Sequence, residues 1–113
     1  MIRVRVLCGA LLALVVPALA VAHQLTVFAS VDCEAVTVEA KFSSGKAPVT
    51  GEVRVLDAEN ALLATLALES DGTQRVPLDS VDHAGGLVIE VNTGSHEGYW
   101  IVTPDDIARN CGS

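Results

Sequence analysis

The feature that most constrains the fold is an alternation of apolar and polar residues in short segments. Residues 24–32 (QLTVFASVD) and 34–43 (EAVTVEAKFS) each place apolar side chains on one face of an extended chain. Those apolar positions are Leu25, Val27, Ala29, Val31, Val36, Val38, Ala40 and Phe42. A period of two is typical of half-buried β-strands, so both segments are predicted to be strands.

Five further segments have a strand-like composition and are separated by turn residues. They are residues 52–57, 61–69, 74–78, 87–94 and 99–103. The leucines of 61–69 are also compatible with a short helix. Pro77 predicts an edge position for its strand, and the continuous apolar run of 87–94 predicts a central one. About seven short strands with regular turns predict a small all-β sandwich.

The first 22 residues have the pattern of a secretory signal peptide. Arg3 and Arg5 form a short positive region before an apolar run that is too short for a comfortable membrane span. The sequence Ala20-Val21-Ala22 is an A-x-A cleavage site. Cleavage after Ala22 is therefore predicted, which leaves residues 23–113 as one exported, periplasmic or secreted domain. An uncleaved membrane anchor is the alternative.

The C-terminal tail is predicted to be tied to the end of the first strand. Thr103 and Pro104 suit the cap and first position of one helical turn. Cys33 and Cys111 are the two cysteines left after cleavage, and two cysteines in a small exported domain usually pair. A disulfide is therefore predicted, with free thiols acting as soft metal ligands as the alternative.

Charge and motifs exclude several classes of function. Removal of Arg3 and Arg5 leaves five basic against 14 acidic residues, which argues against nucleic acid and against direct binding to anionic lipid. The chain contains no nucleophile motif and no phosphate-binding glycine loop, so it is not predicted to be an enzyme. Its few aromatic residues are expected to be largely buried; they are Phe28, Phe42, Tyr99 and Trp100.

The histidines are the candidate metal ligands. Cleavage after Ala22 would give His23 a free α-amine, and the amine and ring Nδ1 can then chelate one divalent transition metal. His96 lies between Gly94 and Gly98, which suggests a backbone shaped to present its side chain. A turn histidine bonded to a neighbouring carbonyl is the alternative. His83, in a loop, is interpreted as a surface residue.

Three segments of the chain resemble one family. AHQLTVFASVD (residues 22–32) is similar to the mature start of the small exported accessory subunits of energy-coupling-factor nickel and cobalt transporters. GSHEGYW (94–100) resembles a later Gly-x-His segment of that family. Residues 51–78 between them are similar to the prealbumin-like, carboxypeptidase-regulatory-like repeat.

The resemblance implies an Ig-like or prealbumin-like sandwich that helps a membrane permease to capture nickel or cobalt. His23 and His96 match the histidine positions of that family and are implied as metal ligands. Two other functions stay open. One is a non-catalytic interaction module of the envelope, in which the histidines are incidental. The other is a periplasmic copper protein with an N-terminal histidine chelate, although the only methionine is Met1.

Overall fold

The computed structural model describes residues 24–111. The predicted signal peptide (1–22), its cleavage site and His23 lie outside these residues. The seven strands are β1 (Leu25–Val31), β2 (Ala35–Phe42), β3 (Glu52–Leu56), β4 (Leu62–Ala67), β5 (Thr73–Pro77), β6 (Leu87–Asn92) and β7 (Glu97–Val102). A 3-10 turn (Leu78–Ser80) follows β5, and helix α1 (Pro104–Cys111) follows β7.

The strands form two antiparallel sheets that face each other, which confirms the predicted all-β sandwich. One sheet has the order β1-β2-β5, and the other has the order β4-β3-β6-β7. Strand β5 with Pro77 lies at an edge, and β6 lies inside its sheet, as their compositions predict. The leucine-rich segment forms strand β4 because Leu66 and Ala64 pair with Val53 and Val55 of β3 on the inner face.

The core consists of the inward-facing residues of both sheets. Every second residue of β3 and β6, and of β2 as far as Ala40, is fully or almost fully buried, as period-two strands require. The members with no exposed surface are Val36, Val38, Ala40, Val53, Val55, Ile89 and Val91. No polar or charged side chain of the described residues is buried, so apolar packing supplies the interior.

Strands β1 and β7 bring the two sheets together along one side of the sandwich. A Cβ placed on Gly98 of β7 would lie 2.9 Å from Val27 Cγ2 and 3.1 Å from the carbonyl oxygen of Leu25. Both distances are closer than ordinary contacts, so β1 passes over β7 at a point where only glycine fits. This close approach sets the distance between the first strand and the last.

Helix α1 is longer than the single turn predicted from the sequence. Thr103 caps it, since the amide of Asp106 donates to Thr103 Oγ1 at 3.1 Å and the amide of Thr103 donates to Asp106 Oδ2 at 2.9 Å. This reciprocal pair satisfies amides that the helix itself leaves free. Pro104 occupies the first helical position, as predicted, and Ile107 packs against the core.

The predicted disulfide joins Cys33 and Cys111, whose Cα atoms are 4.5 Å apart. Cys33 lies in the tight turn between β1 and β2, where Asp32 Oδ1 accepts hydrogen bonds from the amides of Glu34 and Ala35. Cys111 is the last residue of α1. We call the part of the sandwich that contains this turn and α1 the disulfide end.

The expectation that the aromatic side chains are largely buried is wrong for three of the four. Phe28 is 47% exposed, Trp100 38% and Tyr99 64%, whereas Phe42 is half-buried. Phe28 lies on the outer face of β1, and its ring meets Trp100 edge to face with the ring centroids 5.0 Å apart. Aliphatic side chains of valine, alanine, leucine and isoleucine fill the interior, and the large rings lie at the periphery.

Candidate metal site

His96 is carried by the tight connection between β6 and β7. Gly94 has a φ of 99°, a conformation that glycine adopts without steric cost, and its amide donates to Asn92 Oδ1 at 2.7 Å. The amide of Thr93 donates to the carbonyl oxygen of His96 at 2.9 Å and closes the turn. Gly94 therefore shapes the turn that presents His96, whereas Gly98 serves the approach of β1.

The His96 ring is half-buried and is held on two sides. Its Nδ1 atom lies 2.9 Å from Ser95 Oγ. Its ring meets Phe42 edge to face, with centroids 5.3 Å apart and an angle of 71° between the planes. No partner for Nε2 is found among residues 24–111. If Nδ1 carries the proton and donates to Ser95, Nε2 keeps a lone pair that can bind a metal ion.

The start of β1 lies beside His96. Gln24, Leu25, Ser95, His96 and Glu97 line one shallow, open cleft. Because Gln24 directly follows His23, the described structure brings the neighbour of the predicted chelating residue to the His96 turn. We call this part of the sandwich the histidine end.

Two hydrogen bonds to Ser43 hold Gln24 in place. The amide of Ser43 donates to the carbonyl oxygen of Gln24 at 2.8 Å, and the amide of Gln24 donates to Ser43 Oγ at 3.3 Å. Leu25 pairs with Phe42, the residue whose ring contacts His96. These contacts fix the start of β1 next to the His96 ring.

The other polar side chains supply little to a metal site. Glu97 lines the same cleft, but its Oε2 accepts a hydrogen bond from Asn92 Nδ2 at 3.2 Å. Within the described range, no three His, Cys, Asp or Glu side chains lie close enough together to hold a metal ion. Cys33 and Cys111 are bonded to each other and are not available as thiolate ligands.

His83 lies far from this cleft. It precedes β6 and His96 follows β6, and a six-residue strand separates the two ends by roughly 17 Å. The His83 carbonyl oxygen accepts a hydrogen bond from the amide of Gly86 at 3.0 Å, so the residue takes part in a turn of its own. The two loop histidines therefore cannot share one ion.

The chain matches no protein-family model, and comparisons with curated proteins and with solved structures also return no match. No helix in residues 24–111 has the length and hydropathy needed to cross a membrane.

Proposed function

We propose that this protein is an exported, non-enzymatic accessory protein that binds nickel or cobalt weakly and assists uptake by a membrane permease. The observation that carries the proposal is the shared cleft of Gln24 and His96. A chelate formed by the α-amine and Nδ1 of His23 would begin one residue before Gln24, and His96 Nε2 would add a third nitrogen. The resemblance of residues 22–32 and 94–100 supports the same function.

Three nitrogen ligands in an open cleft suit a cargo ion that must be released again. Amine and imidazole nitrogens bind nickel and copper more tightly than cobalt, so affinity alone does not select the cargo. An excess of acidic residues also draws cations towards the surface. The weak site and the acidic surface together favour capture and transfer over storage.

Isothermal titration of residues 23–113 with Ni²⁺ and Co²⁺ tests the proposal. One extra alanine before His23 converts the amine to an amide, and His96→Ala removes the second imidazole. Each change should weaken Ni²⁺ binding by about tenfold or more. His83→Ala is the matched control and should leave binding unchanged. Equal affinity with and without the extra alanine would show that the α-amine of His23 is not a ligand and would overturn the proposal.

N-terminal mass analysis of the exported protein tests whether cleavage gives His23 a free α-amine. The proposal expects a mature chain that begins at His23. A mature chain that begins at any other residue has no amine on His23, and it would rule out this mode of binding.

A further inference from the structure

The outer face of the four-stranded sheet carries a row of apolar side chains that the metal proposal does not use. The strand register pairs Leu62 with Leu56, Leu56 with Val88, and Val88 with Ile101. Directly paired residues of a regular antiparallel sheet point to the same face, and Leu62, which pairs with Leu56 after a shift in register, is exposed and lies outside the interior cluster. These four residues, which we call the apolar row, therefore run across all four strands, a distance of roughly 14 Å.

Much of the apolar row is in contact with solvent. Leu62 is 51% exposed and Ile101 55%, and Tyr99, two residues before Ile101 on the same face, is 64% exposed. Leu56 is buried but does not belong to the interior cluster, in agreement with its place on the outer face. Exposed apolar side chains therefore lie at both ends of the row, with Tyr99, Ile101 and the half-buried Val88 grouped at one of them, and a grouped apolar surface usually marks a site of interaction.

A shallow groove continues the apolar row at the disulfide end. Val88 and Ile101 line it together with Ala58, Gly85, Gly86, Leu87, Val102, Thr103 and Pro104. Thr103 is the only lining residue with a polar side chain, so the groove offers apolar contacts and few hydrogen bonds.

The margin of the groove is acidic. Asp57 and Glu59 flank Ala58, and Asp105 follows Pro104. None of the lining residues is a lysine or an arginine. Arg54 lies on the same face, but its Nη1 binds Glu90 Oε1 at 2.8 Å, which neutralises that charge. The groove therefore combines an apolar floor with a negative margin.

The negative charges around the groove indicate which kind of partner it can bind. A second copy of the chain would bring a second acidic margin, and an anionic membrane would bring negative headgroups, so like charges oppose both. We infer that the groove and the apolar row bind a short apolar segment of a partner protein that is flanked by lysine or arginine residues. This binding does not depend on His23, His96 or a metal ion.

The inference can be tested by titrating the protein with a synthetic amphipathic peptide of leucine and lysine, about 14 residues long. Amide chemical shifts should change around the groove, in residues 56–62, 85–88 and 99–104. A matched peptide of leucine and glutamate should produce no such change. Shift changes spread over the three-stranded sheet, or the same changes with both peptides, overturn the inference.

Two exposed apolar residues provide a matched pair of variants. Ile101→Ser should weaken binding of the leucine–lysine peptide by about tenfold, because it removes the most exposed member of the apolar row. Val49→Ser changes a 69% exposed valine in the β2–β3 connection and should leave the affinity within about twofold. Equal effects of the two changes show non-specific attraction and overturn the inference.

The acidic margin and the alternative occupants are tested separately. Glu59→Gln with Asp105→Asn should weaken peptide binding and reduce its salt dependence, whereas Glu39→Gln on the other sheet should not. A dimer in sedimentation experiments that Ile101→Ser dissociates would assign the face to a second copy. Binding to anionic vesicles that depends on Ile101 would assign it to lipid. Either result overturns the inference.

Discussion

The two ends of the sandwich are stabilised by different interactions. At the disulfide end, a covalent bond connects the β1–β2 turn to α1, and an aspartate carboxylate on each side of that bond accepts hydrogen bonds from backbone amides. At the histidine end, the start of β1 and the β6–β7 turn are held by hydrogen bonds and by the packing of β1 over Gly98. The rigid end therefore carries the apolar groove, and the less constrained end carries the imidazole.

The largest expected effect concerns the covalent connection. Replacing Cys33 and Cys111 with serine opens a loop that spans a sequence separation of 78 residues. The chain-entropy model predicts a loss of about 4 kcal/mol in the free energy of unfolding. Urea unfolding followed by Trp100 fluorescence measures it, with Val49→Ser in the exposed β2–β3 connection as the control that should change stability by less than about 0.5 kcal/mol. A loss below about 1 kcal/mol for the double variant would mean that the covalent bond does not make the disulfide end the more strongly stabilised one.

The next effect tests how the histidine end is held. Gly98→Ala places a methyl group 2.9 Å from Val27 Cγ2, so β1 must move away from β7. We expect a loss of about 1–3 kcal/mol in the free energy of unfolding, measured in urea. Gly85→Ala is the control, because its nearest neighbour is 3.5 Å away and its backbone is in an ordinary conformation. If the two variants are equally stable, the contact between β1 and β7 does not hold this end.

A smaller effect separates the helix cap from the disulfide. Thr103→Ala removes the hydroxyl that accepts the amide hydrogen of Asp106 and should cost about 1 kcal/mol in unfolding free energy. Thr103→Ser keeps the hydroxyl and should restore most of that loss. Hydrogen exchange of the α1 amides, measured with the disulfide intact, shows whether the loss is local. Unchanged exchange in Thr103→Ala would mean that the disulfide alone fixes the helix.

The smallest effect is a dependence of stability on acid pH. Hydrogen bonds from the amides of Ala35 and Glu34 lower the pKa of Asp32, and those from the amide and hydroxyl of Thr103 lower the pKa of Asp106. Because both pKa values are lower in the folded state, the unfolded state binds protons first as the pH falls. The contribution is complete above the ordinary aspartate pKa of about 3.9 and is lost as the pH falls through the lower folded values.

Urea unfolding at a series of pH values below about 5 measures this loss. Asp106→Asn cannot ionise and should flatten the pH dependence in that range. Val49→Ser, an exposed change that removes no ionisable group, is the control and should leave the slope unchanged. An Asp106→Asn variant with the slope of the original protein would show that this carboxylate is equally acidic in both states.

The strands, their inner faces and the disulfide could be predicted from sequence because they follow local rules. Alternation predicts that Val36 and Val38 face inward, and the missing amide hydrogen of Pro77 predicts an edge strand, both without knowledge of strand order. The position of Gln24 beside His96 could not be predicted in this way, because it depends on how β1 and β7 meet. The close packing at Gly98, which only the tertiary structure shows, brings them together.

The apolar row was missed because its residues interrupt the alternation. Leu56 is apolar although it directly follows the inner residue Val55 and therefore faces outward, and the register shift at this point brings Leu62 of β4 opposite Leu56. Continuous apolar stretches such as YWIV (99–102) indicate a strand with two apolar faces. A strand of this kind usually has both faces covered. From the sequence alone, that cover is expected to be the interior of the same domain.

The disulfide also determines what proteolysis can do to this protein. Lys46 lies in the exposed connection between β2 and β3, inside the loop that Cys33 and Cys111 close. A trypsin cut after Lys46 breaks the backbone but leaves both fragments attached through sulfur. The nicked protein should therefore run as one species on a denaturing gel until a reducing agent is added, and then as two.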